Sequence, residues 1–364
     1  MKILHVLYSG LGGHGNVFFS FIGADKKKEF KYEALFYGIE DVRSEYIQKC
    51  IEKNIVCNFA KKKYKIDFKF YLQIFKYIRR SGADIILLHG SAYIIPSVMV
   101  KLLSKKKLNI VVRETQANHL KAPMQWIVLF LSMAWATKVV CLTKEFKDQI
   151  VQKFSFLNNK KIIVIANGID LNLFKPAEEN NSQFFIIGMQ SRLVSIKDHI
   201  TLLKAFAIIK RSNDLIYKNL KLKIAGEGSF KNTLIQQTKE LGLERDVEFS
   251  GELSENELIR FLQSLNIYVH ASLGETMSTA IMQAMACKLP VIASDVNGIN
   301  NMIADNSTGL LVPVKNEVAL AAALEKCIIN KELRNILALN AYNYAINHYS
   351  NDTMFESYKR MFFA

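Results

Sequence analysis

Residues 270–298, HASLGETMSTAIMQAMACKLPVIASDVNG, hold the densest chemistry in the chain. The apolar run from Asn266 to His270 reads as a strand. Glu275 reads as the opening of a helix that runs to Ala286 and leads into a strand over Pro290 to Ala293. At such a helix start the amides of Thr276, Met277 and Ser278 have no intrahelical acceptor. With the positive end of the helix dipole they make a site for an anion. Glu275 and Gln283 lie about 12 Å apart along such a helix and within roughly 80° of one face. A ligand with a central anion and polar groups at both ends suits that spacing, and a nucleotide diphosphate sugar is one. Taken alone, Glu275 reads as a first-turn carboxylate that complements the helix dipole.

A second cluster follows the first apolar run. Ser9-Gly10-Leu11-Gly12-Gly13-His14-Gly15-Asn16 sits between a strand and a helix. Glycines there let the backbone approach a ligand closely, which makes Gly12, Gly13 and His14 candidate binding residues. A nicotinamide site is disfavoured, because no acidic residue stands at a strand end about 20 positions on, Glu40-Asp41 being a poor candidate. His89 closes the run Ile85–Leu88, and Glu114 follows Val112-Arg113. Either could assist an acceptor hydroxyl, and His89 reads equally as a core histidine. No Asp-x-Asp and no His-Glu-x-x-His occurs in the chain, so neither a metal nor a cofactor is expected.

These residues need elements to hold them. Short apolar runs fall at 2–8, 32–37, 55–59, 84–88, 109–113, 138–141 and 162–165, with helical stretches such as 67–80 and 121–135 between them. The runs are continuous rather than alternating, as in strands buried on both faces. The pattern restarts at Phe184 and gives strands near 220–225, 246–250, 266–269, 290–293 and 309–312, with a helix over 197–210. Strands interleaved with helices predict α/β domains with doubly wound parallel sheets and ligand crevices at the strands' carboxyl ends. The expected division is a first domain over 1–172, a polar linker over 173–183, a second domain over 184–348, and a final helix over 349–364 that packs back towards the first domain. If the two crevices face each other, a cleft forms between the domains.

Several segments together resemble the retaining glycosyltransferases of family 4. Glu275 through Gln283-Ala284-Met285-Ala286 and Lys288-Leu289-Pro290-Val291-Ile292-Ala293 follow that family's Glu-x7-Glu signature. Ser191-Arg192-Leu193 with Lys197 is similar to its G-R-L-x-x-x-K element, and Ile224-Ala225-Gly226-Glu227-Gly228 to its I-A-G-x-G strand end. Leu241-Gly242-Leu243 with Val247, Phe249 and Gly251, and Asn167-Gly168-Ile169-Asp170, match two further motifs in the family's order. The resemblance implies a GT-B architecture of two Rossmann-like domains. It implies that Arg192 and Lys197 clamp the diphosphate, that Glu275 bonds donor-sugar hydroxyls, and that Gly226 belongs to the donor site. A guanidinium and an ammonium suit charge growing on a departing nucleoside diphosphate. Gln283 stands where the family has its second glutamate, which binds the ribose. An amide still accepts from a hydroxyl, though more weakly. The family's first-domain histidine has no counterpart at the end of the fifth strand, whereas His89 lines up with another histidine of the family.

Composition bounds the rest. The chain has 364 residues, half of them hydrophobic and 22% charged, which suits two folded domains and excludes long disorder. Its five cysteines include no Cys-x-x-Cys pair, so neither a disulfide framework nor a structural zinc site is expected. The net charge of +15 gathers at Lys26–Lys28, Lys61–Lys63 and Lys105–Lys107. It reads either as solvated loops or as attraction to anionic lipid. Nucleic acid is not expected, since no helix-turn-helix, RNP or zinc-finger pattern accompanies the charge. The first residues read as a buried strand rather than a signal peptide, and the apolar stretch 126–136 is too short to span a bilayer. The expected protein is a cytoplasmic glycosyltransferase that retains anomeric configuration. It takes a nucleotide-sugar donor, UDP-linked by family frequency, and a glycan or lipid-linked acceptor in surface polysaccharide synthesis. The basic charge and the segment from His119 to Trp135 add peripheral attachment to the inner face of the plasma membrane, although both tryptophans read equally as parts of a buried helix. The alternatives are a non-catalytic nucleotide-sugar-binding scaffold and, more remotely, a nicotinamide oxidoreductase.

Overall fold

The computed structural model describes residues 1–10, 13–63, 67–178, 182–212 and 217–363. They form two compact units. One comprises Met1–Gly168 together with Asn351–Ala364, and the other Ile169–Ser350.

The first unit is built on β1 (Lys2–Tyr8), β2 (Lys31–Gly38), β3 (Val56–Lys61), β4 (Ile85–His89), β5 (Asn109–Arg113), β6 (Lys138–Cys141) and β7 (Ile162–Val164). Their order in the sheet is β3-β2-β1-β4-β5-β6-β7, and every neighbouring pair is parallel. The connecting helices are α1 (Gly13–Ala24), α2 (Ser44–Glu52), α3 (Phe68–Ser81), α4 (Ile94–Leu103), α5 (Pro123–Trp135) and α6 (Lys144–Lys153). Local chemistry sets several of their ends. Asp67 caps α3 by accepting from the Phe70 amide at 3.0 Å, and Gly82 ends it in the left-handed conformation.

The second unit carries β8 (Phe185–Gln190), β9 (Leu220–Ala225), β10 (Val247–Gly251), β11 (Ile267–His270), β12 (Val291–Ser294) and β13 (Leu310–Val312). Its sheet runs β10-β9-β8-β11-β12-β13, again parallel throughout. Around it lie α7 (His199–Arg211), α8 (Lys231–Glu240), α9 (Glu255–Gln263), α10 (Thr279–Ala286), α11 (Glu317–Ile329) and α12 (Lys331–His348). A last helix, α13 (Asn351–Phe363), belongs to the first unit, where it packs on α1.

Both faces of each sheet are covered at its centre, which is why strands such as β4 and β12 read as unbroken apolar runs, whereas β9 alternates Lys221 and Lys223 with buried neighbours. In the second unit Ile187, Leu222, Ile224, Val269 and Ile292 meet Leu202, Phe206 and Leu324 in one buried cluster. In the first unit the two faces bury separate clusters, one including Leu4, Ile86 and Val112, the other Ile3, Ile85 and Val111. Strand order reverses between β1 and β4 in one sheet, and between β8 and β11 in the other. At such a switch point the loops after adjacent strands diverge to opposite faces and leave a crevice.

Candidate active site

At the switch point of the second unit, the loop after β8 meets the loop after β11. The Leu273 amide donates to the Ile196 carbonyl at 2.8 Å, and the Ser272 hydroxyl donates to the same carbonyl at 3.2 Å. This stitching brings Lys197 onto Glu275, and the ammonium bonds carboxylate Oε1 directly. His270, the last residue of β11, places Nε2 2.7 Å from that same oxygen. Burial alone would raise the Glu275 carboxyl, but Lys197 and His270 outweigh it and hold the pKa at about 2. Glu275 is therefore a fixed anion at any physiological pH.

The helix expected to open at Glu275 starts four residues later. Ser278 is the N-cap of α10, its hydroxyl accepting from the Ile281 amide at 3.4 Å. Thr276, Met277 and Ser278 thus lie before the helix, and the Ser278 amide is directed at Met302 Sδ. The first-turn amides without an acceptor among the described residues are those of Thr279 and Ala280. The helical spacing between Glu275 and Gln283 does not hold either, since only Gln283 is helical, and it is 3% exposed. Glu275 left the helix because its carboxylate is satisfied by Lys197 and His270 rather than by a helix dipole.

Two glycines let the backbones close around this point. Gly226 follows β9 at φ +134°, and a Cβ there would lie 1.9 Å from the Ser191 carbonyl oxygen, next to Arg192. Gly298, at φ +93°, supports the loop from the other side, where a Cβ would meet the Glu275 carbonyl oxygen at 2.3 Å. Arg192 itself is exposed.

The first unit presents a second polar group at its own switch point. Arg113 donates towards His89 Nδ1 at 3.4 Å and also bonds Asn167. Because Nδ1 accepts, His89 Nε2 carries the proton and donates to His5 Nδ1 at 3.1 Å. His14, in the first turn of α1, bonds Thr115 at 3.1 Å, and its ring centroid is 5.8 Å from that of His89. Gly13 is the exposed first residue of α1, and Gly12 lies outside the described residues. Glu114 stands apart from these. Its Oε1 accepts from the Gln116 amide at 3.0 Å and lies 3.5 Å from Lys121 Nζ, with both side chains buried. No cluster of three or more His, Cys, Asp or Glu able to hold a metal ion occurs among the described residues.

Reading the sequence missed His270, His199 and Ser272. His199 Nε2 lies 3.0 Å from the Ser191 hydroxyl, beside the loop that carries Arg192. A histidine ending an apolar run five residues before Glu275 was the available signal for His270.

The buried histidines carry a pH prediction. Burial, with Arg113 adding to it, lowers His5 to about 3. Burial, then His270 and Lys197, lowers His199 to about 3. Burial, then Arg113, His5 and His14, lowers His89 well below its ordinary value. Each stays neutral in the folded chain but takes up a proton readily once unfolded. Its contribution is complete above about pH 6.5 and is withdrawn as pH falls below that, at about 1.4 kcal/mol per pH unit for each histidine, down to about 3 for His5 and His199. The thermal midpoint is expected to be flat from pH 8 to 7 and to fall steeply below 6. Replacing His199 by glutamine should shallow that fall, and an unchanged slope would contradict the assignment.

Two doubly wound units are the parts from which a GT-B glycosyltransferase is built, and the family models identify the chain as one. A family model described as Glycosyltransferase Family 4 matches residues 12–173, and another described as Glycosyl transferases group 1 matches residues 172–344. The chain belongs to this glycosyltransferase family and is an enzyme of it, which sets aside the scaffold and oxidoreductase alternatives. It is 24% identical over 301 residues to an Escherichia coli UDP-Gal:alpha-D-GlcNAc-diphosphoundecaprenol alpha-1,3-galactosyltransferase, covering 78% of this chain and 76% of that protein. It is 31% identical over 191 residues to a Campylobacter jejuni N-acetylgalactosamine-N,N'-diacetylbacillosaminyl-diphospho-undecaprenol 4-alpha-N-acetylgalactosaminyltransferase, covering 51% of this chain and 49% of that one. The crystal structure of Anabaena HepE with UDP and glucose shares the fold, with a TM-score of 0.84 and 18% identity over the full length of both chains. Among the described residues, no helix is long and apolar enough to cross a membrane.

Proposed function

We propose that this enzyme moves a sugar, with retention of anomeric configuration, from a UDP-sugar to a lipid-linked glycan in surface polysaccharide synthesis. The observation that carries the reading is the convergence of Lys197, His270 and the ionised Glu275 on one crevice, beside the first-turn amides of α10. In this reading the diphosphate meets Lys197, Arg192 and the Thr279 and Ala280 amides, with Gly226 giving it room. Glu275 accepts from donor-sugar hydroxyls, and Gln283 faces the ribose. Charge growing on the leaving diphosphate is then offset by fixed cations and dipoles, which cost no reorganisation at the moment of transfer. His14 and His89 serve the acceptor side.

Two relatives named for diphosphoundecaprenol-linked substrates support the acceptor class. The surface supports work at an anionic membrane. Phe68 and Leu72 on α3, and Leu102 and Leu103 on the adjoining α4, are exposed (Phe68 at 83% and Leu102 at 79%), and Lys69 and Lys105–Lys107 flank them. Trp135 on α5 is 45% exposed. Trp126 is partly buried beneath the Lys121 and Lys153 ammonium groups.

The test is a thermal-shift panel of UDP, GDP and their sugar conjugates, followed by turnover on a diphospholipid-linked acceptor. The matching nucleotide at 100 times its dissociation constant should add about 2.7 kcal/mol of stability. No shift with any of them would refute the donor assignment. Product of inverted configuration would refute retention.

A further inference from the structure

The carboxylate of Glu275 is held from one side only. Both of its recorded bonds among the described residues, from Lys197 Nζ and His270 Nε2, fall on Oε1. No described residue bonds Oε2. Lys197 hangs on a flexible four-carbon stem. His270 is 1% exposed and locked at both ring nitrogens, with Nδ1 3.2 Å from the Tyr268 hydroxyl and Nε2 also 3.3 Å from the Ser278 hydroxyl.

The protons on this chain of groups follow from what each can do. An ionised carboxylate only accepts, so His270 Nε2 carries a hydrogen. In the neutral ring Nδ1 is then a lone pair facing the Tyr268 hydroxyl, whose one hydrogen is shared between Nδ1 and the Gln190 carbonyl, the oxygen lying 3.2 Å from each. The Tyr268 ring lies nearly parallel to the imidazole, at an interplanar angle of 21°. Tyr268 is itself fully buried within β11, so the imidazole hangs from the rigid part of the sheet. The loop over 272–278 has no regular structure of its own, and a rigid strand-end donor fixes where its one carboxylate points.

We infer that His270 is a positioning residue that donates through Nε2 to Oε1 of Glu275 and so turns Oε2 towards the hydroxyls of the donor sugar. This deepens the proposed function and rests on it. His270 touches neither nucleotide nor sugar. It acts on the sugar alone, through Glu275.

Two replacements separate the two ends of the ring. His270→Asn keeps a polar partner for Tyr268 but is too short to reach Glu275. His270→Gln is long enough to place an N–H where Nε2 stood. Binding of UDP and of UDP-glucose, UDP-galactose and UDP-N-acetylglucosamine is measured by calorimetry on the wild type, both variants and Glu275→Gln. In His270→Asn, UDP should bind within about twofold of wild type, which also reports that the site is folded. The UDP-sugar that wild type prefers should bind about tenfold more weakly, as in Glu275→Gln, and His270→Gln should recover most of the loss. Equal weakening of UDP and UDP-sugar, or no weakening of either, alongside a selective loss in Glu275→Gln, would overturn the positioning role and leave the proposed function standing. If Glu275→Gln itself shows no selective loss, the sugar-binding reading of Glu275 fails, and the role of His270 falls with it.

Discussion

Replacing Glu275 by glutamine is expected to lower glycosyl transfer by about a hundredfold or more, while UDP, measured as a competitive inhibitor, binds as well as before or better. The replacement keeps the shape and removes the charge. In the wild type that charge is secure, since Lys197 and His270 hold the carboxyl at about 2 against the upward pull of burial. Two losses combine. A carboxylate makes a stronger bond to a sugar hydroxyl than an amide does, by about 1–2 kcal/mol. Losing a fixed anion that faces the positive charge developing on the sugar as the glycosyl bond breaks costs a further factor of about 10²–10³ in rate. Freed from its partner, the Lys197 ammonium is available to a diphosphate, so nucleotide affinity moves the other way. Steady-state rates against donor concentration, with UDP inhibition measured in parallel, check both halves. A variant within threefold of the wild-type rate would remove Glu275 from the mechanism.

Truncation after Ser350 is expected to unfold the first unit while the second stays folded. The helix α13 is separated by the whole second unit from the rest of the core it completes. Met354, Phe355 and Tyr358 are buried there among Ile3, Val17, Phe21, Ile85, Leu87 and Val140. Phe21 meets Phe355 and Tyr358 edge-on, with centroids 5.2 and 5.3 Å away. Burying a large apolar side chain is worth about 1.5–3 kcal/mol, so these three account for a sum comparable to the roughly 5–15 kcal/mol that holds a whole domain folded. Hydrogen exchange should show protection lost from β1, β4 and α1 and kept in β8, β9 and β11. The milder Phe355→Ala should cost about 3–5 kcal/mol. A truncated chain with an unchanged first unfolding transition would show that α13 is dispensable.

Much of the framework was legible in the residues. The runs 109–113 and 138–141 became strands with those bounds, because the centre of a sheet buried on both faces leaves few polar positions to blur the signal. The amphipathic face of Met354, Tyr358 and Met361 marked a final helix expected to pack back towards the first domain, though not which core residues it would meet. Lys197 and Glu275 were both singled out, but as independent contributors, one to a phosphate and one to a sugar. That they bond each other depends on β8 lying next to β11 with Ile187 against Ile267, which no local pattern encodes.

The late start of α10 shows the same division. Apolar spacing over 279–286 was enough to mark α10, and Ser278 is a chemically good cap. The competing claim of Glu275 was settled by His270 and Lys197 arriving from other elements. By itself the sequence determined which segments are strands and helices, and which residue types are available for chemistry, since periodicity and composition are local properties. Only the tertiary structure decided which of those residues touch. Strand order sets contacts across tens of residues, and a buried charge is stable only where its partners have been brought to it.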